Sequence, residues 1–240
     1  MKAIWIAALA IATAVHAQQP KAEPEPKEAT ATRIVLVGDS TVNHSTGWGS
    51  GFCDRLAGEI ECFNESRNGR SSKSYRDQGL WKRALALNPN IVLIQFGAND
   101  TPGKGADRET VPNTSFAALL RLYISEARAI GAKPMLVTPL PGRSFKDGKH
   151  VHTLEDYAAA MRTVGAETKT PVLDLNTDAN AVLDTMTQEQ ADKLNHIYEK
   201  DKPSTDRVHL DQAGIDLFGL MVAKEFAAAM PSIEKKIVLF

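Results

Sequence analysis

The sequence predicts an α/β fold: a three-layer α/β/α sandwich on a parallel sheet of about five strands, flavodoxin-like in type. Short, continuous apolar runs alternate with segments of helical periodicity. Such alternation implies parallel strands joined by right-handed crossovers. The composition of the 240 residues, 43% apolar and 24% charged, is that of one globular domain with a sizeable core.

The elements follow in order. Ile34-Val35-Leu36-Val37 is a buried first strand ending at Gly38-Asp39. Trp48 to Ala57 reads as a helix and Glu61 to Asn64 as a short second strand. Ser74 to Leu87 reads as one helix that stops before Pro89, because proline drives the residue before it out of helical geometry. Ile91 to Gln95 is apolar throughout its first four positions, the mark of a strand covered on both faces. Phe116, Leu119, Leu120, Tyr123, Ala127 and Ile130 keep helical spacing, and Gly131 ends that helix. Pro134 to Thr138 is a fourth strand, Thr153 to Thr168 a helix and Pro171 to Leu175 a fifth strand. One or two helices are expected between Ala179 and Lys200, and a last one from Asp211 to about Ala229. The apolar C-terminal end, Glu234 to Phe240, has no assigned place.

Outside this domain, residues 1–17 carry a secretory signal pattern: Met1-Lys2, the apolar run Ala3 to Val15, and small residues in Val15-His16-Ala17. The run is short for a bilayer span. Residues 18–32, rich in Pro, Glu, Lys and Ala, read as a disordered linker, and residues 33–240 as the folded domain. The expected location is therefore secreted or periplasmic, with no membrane span left after cleavage. A net charge of −1 gives no sign of a nucleic-acid partner, and a monomer is expected. Cys53 and Cys62 either bridge or remain two buried thiols.

In parallel sheets, ligands bind beyond the carboxyl ends of the strands, and four weak signals fall there in order. Gly38-Asp39-Ser40-Thr41 follows the first strand and exposes a hydroxyl at a turn. Arg67-Asn68-Gly69-Arg70-Ser71 follows the second, where glycine lets a backbone N–H approach a ligand. Phe96-Gly97-Ala98-Asn99-Asp100 follows the third and offers a side-chain amide. Asp206-Arg207-Val208-His209 precedes the last helix, and its three-residue spacing lets one loop carry carboxylate and imidazole. Each alone is an ordinary turn. Together they supply a nucleophile (Ser40), a base (His209), an orienting acid (Asp206) and three oxyanion donors (Ser40, Gly69, Asn99).

These blocks resemble the SGNH, or GDSL-like, hydrolases from Arg33 to the last helix. The resemblance implies an esterase in which Ser40, Gly69, Asn99 and His209 stand at the family's invariant positions, with Asp206 completing a triad. Gly38-Asp39-Ser40-Thr41-Val42, Gly47-Trp48-Gly49, Asn68-Gly69-Arg70-Ser71 and the stretch from Val137 to Tyr157 are similar to the rhamnogalacturonan acetylesterase branch. Ala98 departs from that branch, which usually has histidine there, and so does Gly142, where arginine is common beside Arg143. The implied substrate is acetylated plant cell-wall polysaccharide of rhamnogalacturonan, pectin or xylan type, and no metal or cofactor is required. Trp48, Arg70 and Arg143 are the expected substrate contacts.

Other features carry rival readings. His150-x-His152 near Asp147 has too few clustered ligands for a metal site and reads as a loop near the cleft. The basic run from Arg67 to Arg83 is either a polyanion-steering patch or a solvated helix face. An exported lipid esterase or thioesterase of the same superfamily would need an apolar acyl channel. A non-catalytic carbohydrate-binding protein would not need the intact Ser40, Gly69, Asn99, Asp206 and His209 set.

Overall fold

The computed structural model describes Met1, residues 31–198 and residues 206–240. Except for Met1, the expected signal lies outside the described residues, and so does nearly all of the expected linker. Within the unit Ala31–Phe240, the elements run β1 (Thr32–Gly38), α1 (Gly49–Cys53), β2 (Ile60–Asn64), α2 (Ser72–Asp77), α3 (Leu80–Ala86) and β3 (Ile91–Gln95). A π-helical turn (Pro112–Phe116) leads into α4 (Ala117–Ala129), followed by β4 (Lys133–Val137), β5 (Phe145–Lys146), β6 (Lys149–His150) and α5 (Glu155–Thr168). The chain ends with β7 (Val172–Leu173), α6 (Leu175–Leu183), α7 (Gln188–Asp192) and α8 (Gln212–Ala229).

The main sheet has five strands in the order β2-β1-β3-β4-β7, and every neighbouring pair is parallel. Alternation along β1 divides the core. Ile34 and Leu36 pack with Phe52 of α1, α6 residues and Phe218 and Phe226 of α8. Val35 and Val37 pack on the other face with Tyr75, Trp81, Tyr123 and α5 residues. Both faces are thus covered, which is why β3 is buried along its whole length. The expected sandwich is the observed one. The chain order reverses between β1 and β3, the switch point where such sheets open a crevice.

Local departures have local causes. The helix expected from Ser74 to Leu87 divides into α2 and α3, because Gly79 adopts a left-handed φ of 71° and restarts the chain as an N-cap. The fifth strand ends early, and α6 begins at once. Asn176 donates its backbone N–H to Thr138 Oγ1 and its amide to the Pro139 carbonyl, both at 2.8 Å, which pulls the chain into helix at the end of β4. The β5–β6 hairpin was not expected, since its two-residue strands are too short for a periodicity signal. The C-terminal end returns to α1: Leu56 bridges Ile237 in antiparallel fashion. Cys53 and Cys62 are bridged, with Cα atoms 5.7 Å apart, tying α1 to β2.

Candidate active site

The turn after β1 is set by Asp39. Its Oδ1 accepts the Thr41 N–H at 2.8 Å and the Thr41 hydroxyl at 2.7 Å, so Ser40 is held at the carboxyl end of the strand. Gln95, the last residue of β3, donates to Thr41 Oγ1 at 2.5 Å and accepts the Trp48 indole N–H at 2.8 Å. This corrects the expectation for Trp48. It is fully buried and braces the serine turn from within, leaving no ring face for a sugar. Burial raises the pKa of Asp39, opposed by the Thr41 hydrogen bonds and by His209.

The loop after β2 is stitched to the same turn, because the Arg67 N–H donates to the Gly38 carbonyl at 2.9 Å. Gly69 follows with φ of 71°, a left-handed conformation that strains any residue with a Cβ. It stands on this loop, beyond the carboxyl end of β2. Arg70 turns to its own neighbourhood, donating to Gln78 and to the Asn68 carbonyl, each at 2.9 Å.

The loop after β3 is fixed by Asp100, which sequence reasoning did not single out. Its carboxylate accepts the Gly97 N–H at 3.1 Å, the Ser72 N–H at 3.1 Å, the Ser72 hydroxyl at 2.5 Å and the Thr110 hydroxyl at 3.0 Å. Burial still pushes its pKa up to about 6. Gly97 is required here: φ is 142°, and a Cβ would stand 3.0 Å from Pro139. Asn99 is thereby held in the lining of the cleft beside Ser40.

The opposite wall is the loop before α8. Asp206 Oδ1 accepts the backbone N–H groups of Val208 at 2.8 Å and His209 at 3.0 Å. Asp206 Oδ2 pairs with His209 Nδ1 at 2.6 Å and accepts the Tyr198 hydroxyl at 2.8 Å. His209 Nε2 lies 2.8 Å from Ser40 Oγ. Burial pushes the Asp206 pKa up, but these hydrogen bonds outweigh it and hold the carboxyl well below the usual carboxylate range. Two ties carry this loop to the rest of the fold: Leu210 N–H donates to the Thr46 carbonyl at 2.9 Å, and Arg143 donates to the His209 carbonyl at 2.7 Å.

That second tie corrects the expectation for Arg143. It is fully buried, its Nε donates to Asn195 Oδ1 at 2.6 Å, and burial lowers its pKa to about 10. Arg143 supports the histidine from behind and meets no substrate. Within the basic run from Arg67 to Arg83, Glu65 pairs with Arg67 and Arg83, Glu126 with Arg76 and Asp77 with Lys73. Tyr198 is a site residue missed from the sequence, where no spacing linked it to Asp206.

Ser40, Asn99, Asp206 and His209 therefore line one cleft of about 390 Å³, walled also by Thr101, Lys104, Leu140, Gly142 and Thr153. Its chemistry is that of acyl transfer: a hydroxyl bonded to an imidazole, the imidazole bonded to a carboxylate, and an amide donor alongside.

Comparison with known proteins agrees. Residues 36–217 match the family model for the GDSL-like Lipase/Acylhydrolase family. The chain is 30% identical over 202 residues to the probable rhamnogalacturonan acetylesterase YesY of Bacillus subtilis, covering 81% of this chain and 92% of that one. It is 31% identical over 175 residues to the rhamnogalacturonan acetylesterase RhgT of the same organism, covering 68% and 72%. Among solved structures, the Bacillus subtilis protein YxiM aligns with a TM-score of 0.71 at 23% identity, over 85% of this chain and 58% of that one. The acetylxylan esterase Axe2 of Geobacillus stearothermophilus aligns with a TM-score of 0.61 at 18% identity, over 83% and 94%. With the family model spanning most of the sheet and both walls of the cleft, the chain belongs to the GDSL-like lipase/acylhydrolase family, the SGNH hydrolases, as a carboxylic ester hydrolase similar to the rhamnogalacturonan acetylesterases.

Proposed function

We propose that the protein is an exported monomer that removes acetyl groups from plant cell-wall polysaccharide, with Ser40 as nucleophile, His209 as general base and Asp206 as its orienting acid. The observation that carries the reading is the unbroken line from Ser40 Oγ to His209 Nε2 at 2.8 Å and from His209 Nδ1 to Asp206 at 2.6 Å. As Ser40 Oγ attacks the ester carbonyl, His209 takes its proton. The backbone N–H groups of Ser40 and Gly69 and the Asn99 amide receive the developing oxyanion. His209 then returns the proton to the departing sugar hydroxyl. In the second half, water gives a proton to His209, attacks the acetyl-Ser40 ester and releases acetate, restoring the serine.

The acetylated sugar is supported by the names of the relatives, two of them rhamnogalacturonan acetylesterases. It is supported also by the polar groups of the cleft: Asn99, Thr101, Lys104, Ser144, Thr153 and Arg207. Export rests on the pattern of residues 1–17; no helix among the described residues is long and apolar enough to cross a membrane.

Acetate release from acetylated rhamnogalacturonan and a chain-length series of p-nitrophenyl esters test the reading. The expected optimum is the acetyl ester, with Ser40→Ala abolishing turnover while leaving the thermal unfolding transition in place. A fully active Ser40→Ala protein overturns the nucleophile. Rates that climb with acyl length, without release from polysaccharide, point instead to the lipid esterase.

A further inference from the structure

The histidine pair set aside in the sequence gains a third member in the fold. His150 ends β6, His152 follows two residues later, and Asp184 caps α6 from 32 residues further along. One ligand atom from each lies within 4.8 Å of the other two. Asp147, the acid nearest in sequence, instead occupies the hairpin turn with φ of 50°.

The state of His150 points to what belongs there. Its Nε2 lies 2.8 Å from the Gly142 carbonyl oxygen. A carbonyl only accepts, so Nε2 carries a proton and the neutral ring keeps its lone pair on Nδ1. The side chain is fully covered, and Nδ1 has no hydrogen-bond partner. That bare nitrogen faces Asp184 Oδ1 at 3.6 Å. In the neutral ring two electron-pair donors then face each other, His150 Nδ1 covered and Asp184 half exposed, and a cation between them would satisfy both. His152 completes the set, its Nε2 2.9 and 3.0 Å from the two Asp184 oxygens.

We infer that His150 Nδ1, His152 Nε2 and an Asp184 oxygen form a binding site for a first-row divalent metal ion of the Zn²⁺ class, with water in the remaining position. Metal–ligand bonds of about 2.0–2.2 Å place tetrahedral neighbours roughly 3.4 Å apart, close to the spacing of His150 and Asp184. His152 is half exposed and free to close the remainder. Two imidazoles and one carboxylate suit Zn²⁺, Ni²⁺ or Cu²⁺ better than Mg²⁺ or Ca²⁺. The Gly142 carbonyl acts as the outer partner that fixes ring and tautomer for a ligating histidine. The ion would clamp the β5–β6 hairpin to the end of α6. Gly142, Ser144 and Thr153 flank that hairpin and also wall the cleft, so the clamp is structural and sits beside the esterase chemistry. The inference does not depend on the proposed substrate.

The test uses untagged full-length protein stripped with chelator and dialysed. Calorimetric titration with Zn²⁺ should give one ion per chain, and Tm should rise with the logarithm of Zn²⁺ concentration; Mg²⁺ should do neither. His152→Ala and Asp184→Asn alter half-exposed side chains and should each weaken Zn²⁺ binding more than about tenfold, since even outer-shell changes cost that much. His44→Ala, an exposed histidine outside the cluster, should leave binding unchanged. Less than half an ion per chain, unchanged affinity in Asp184→Asn, or an equal loss in His44→Ala overturns the site.

Discussion

The two walls of the cleft are built on opposite terms. Ser40 and Asn99 stand on loops that continue β1 and β3, each secured by a buried aspartate, Asp39 or Asp100, whose pKa is raised by burial. His209 stands on a half-exposed loop before α8, secured by Asp206, whose pKa is held low. Residue type is the same in all three cases. What differs is how fully hydrogen bonding offsets the loss of water. Asp39 and Asp100 are almost fully buried, Asp100 despite four donors, whereas Asp206 stays partly exposed with both oxygens engaged. The buried wall fixes positions, and the open wall keeps a permanent negative charge against the imidazole.

Breaking the open wall should have the largest effect. His209→Ala removes the proposed base and should lower kcat by about 10⁶, while Asp206→Asn keeps the ring but loses the carboxylate charge beside it and should cost about 10⁴. Steady-state kinetics on p-nitrophenyl acetate decide this; the reverse order would contradict the roles assigned to the two groups. On the buried wall, Asn99→Ala takes away one proposed oxyanion donor and should lower kcat by roughly 10²–10³ with KM little changed. An unchanged kcat would remove Asn99 from the oxyanion hole.

The same contrast explains what could be read from the chain alone. The strands were legible because both faces of the sheet are covered, leaving continuous runs such as Ile91 to Ile94. Ser40, Asn99 and the Asp206–His209 pair were legible because each lies at a fixed offset from a strand end or within one short loop. The supporting residues were not. Trp48 and Arg143 look like substrate contacts in sequence, since nothing local says that Gln95 or Asn195, 47 and 52 residues away, will take their N–H groups into the core. Asp184 was invisible for the same reason: 32 residues of loop, helix and strand separate it from His152, and only the packed fold brings them together.

Acid should separate the walls by a smaller, thermodynamic effect. Asp100 has a folded pKa of about 6 against an ordinary value of 3.8. Between those values the folded chain holds a proton that the unfolded chain has released. Stability from this group is therefore complete below about pH 4 and is lost as pH rises through about 6, a change of about 3 kcal/mol at most. Asp206 runs the other way, its contribution present above 3.8 and lost only as pH falls below that value. Comparing the protein with Asp100→Asn isolates the buried group, because Asp206 is common to both. In urea titrations, the stability difference between them should shrink as pH rises from 4 to 7. A difference that stays flat would mean that the four donors to Asp100 fully offset its burial, and one that grows would place Asp100 with Asp206 as a carboxylate held charged by its partners.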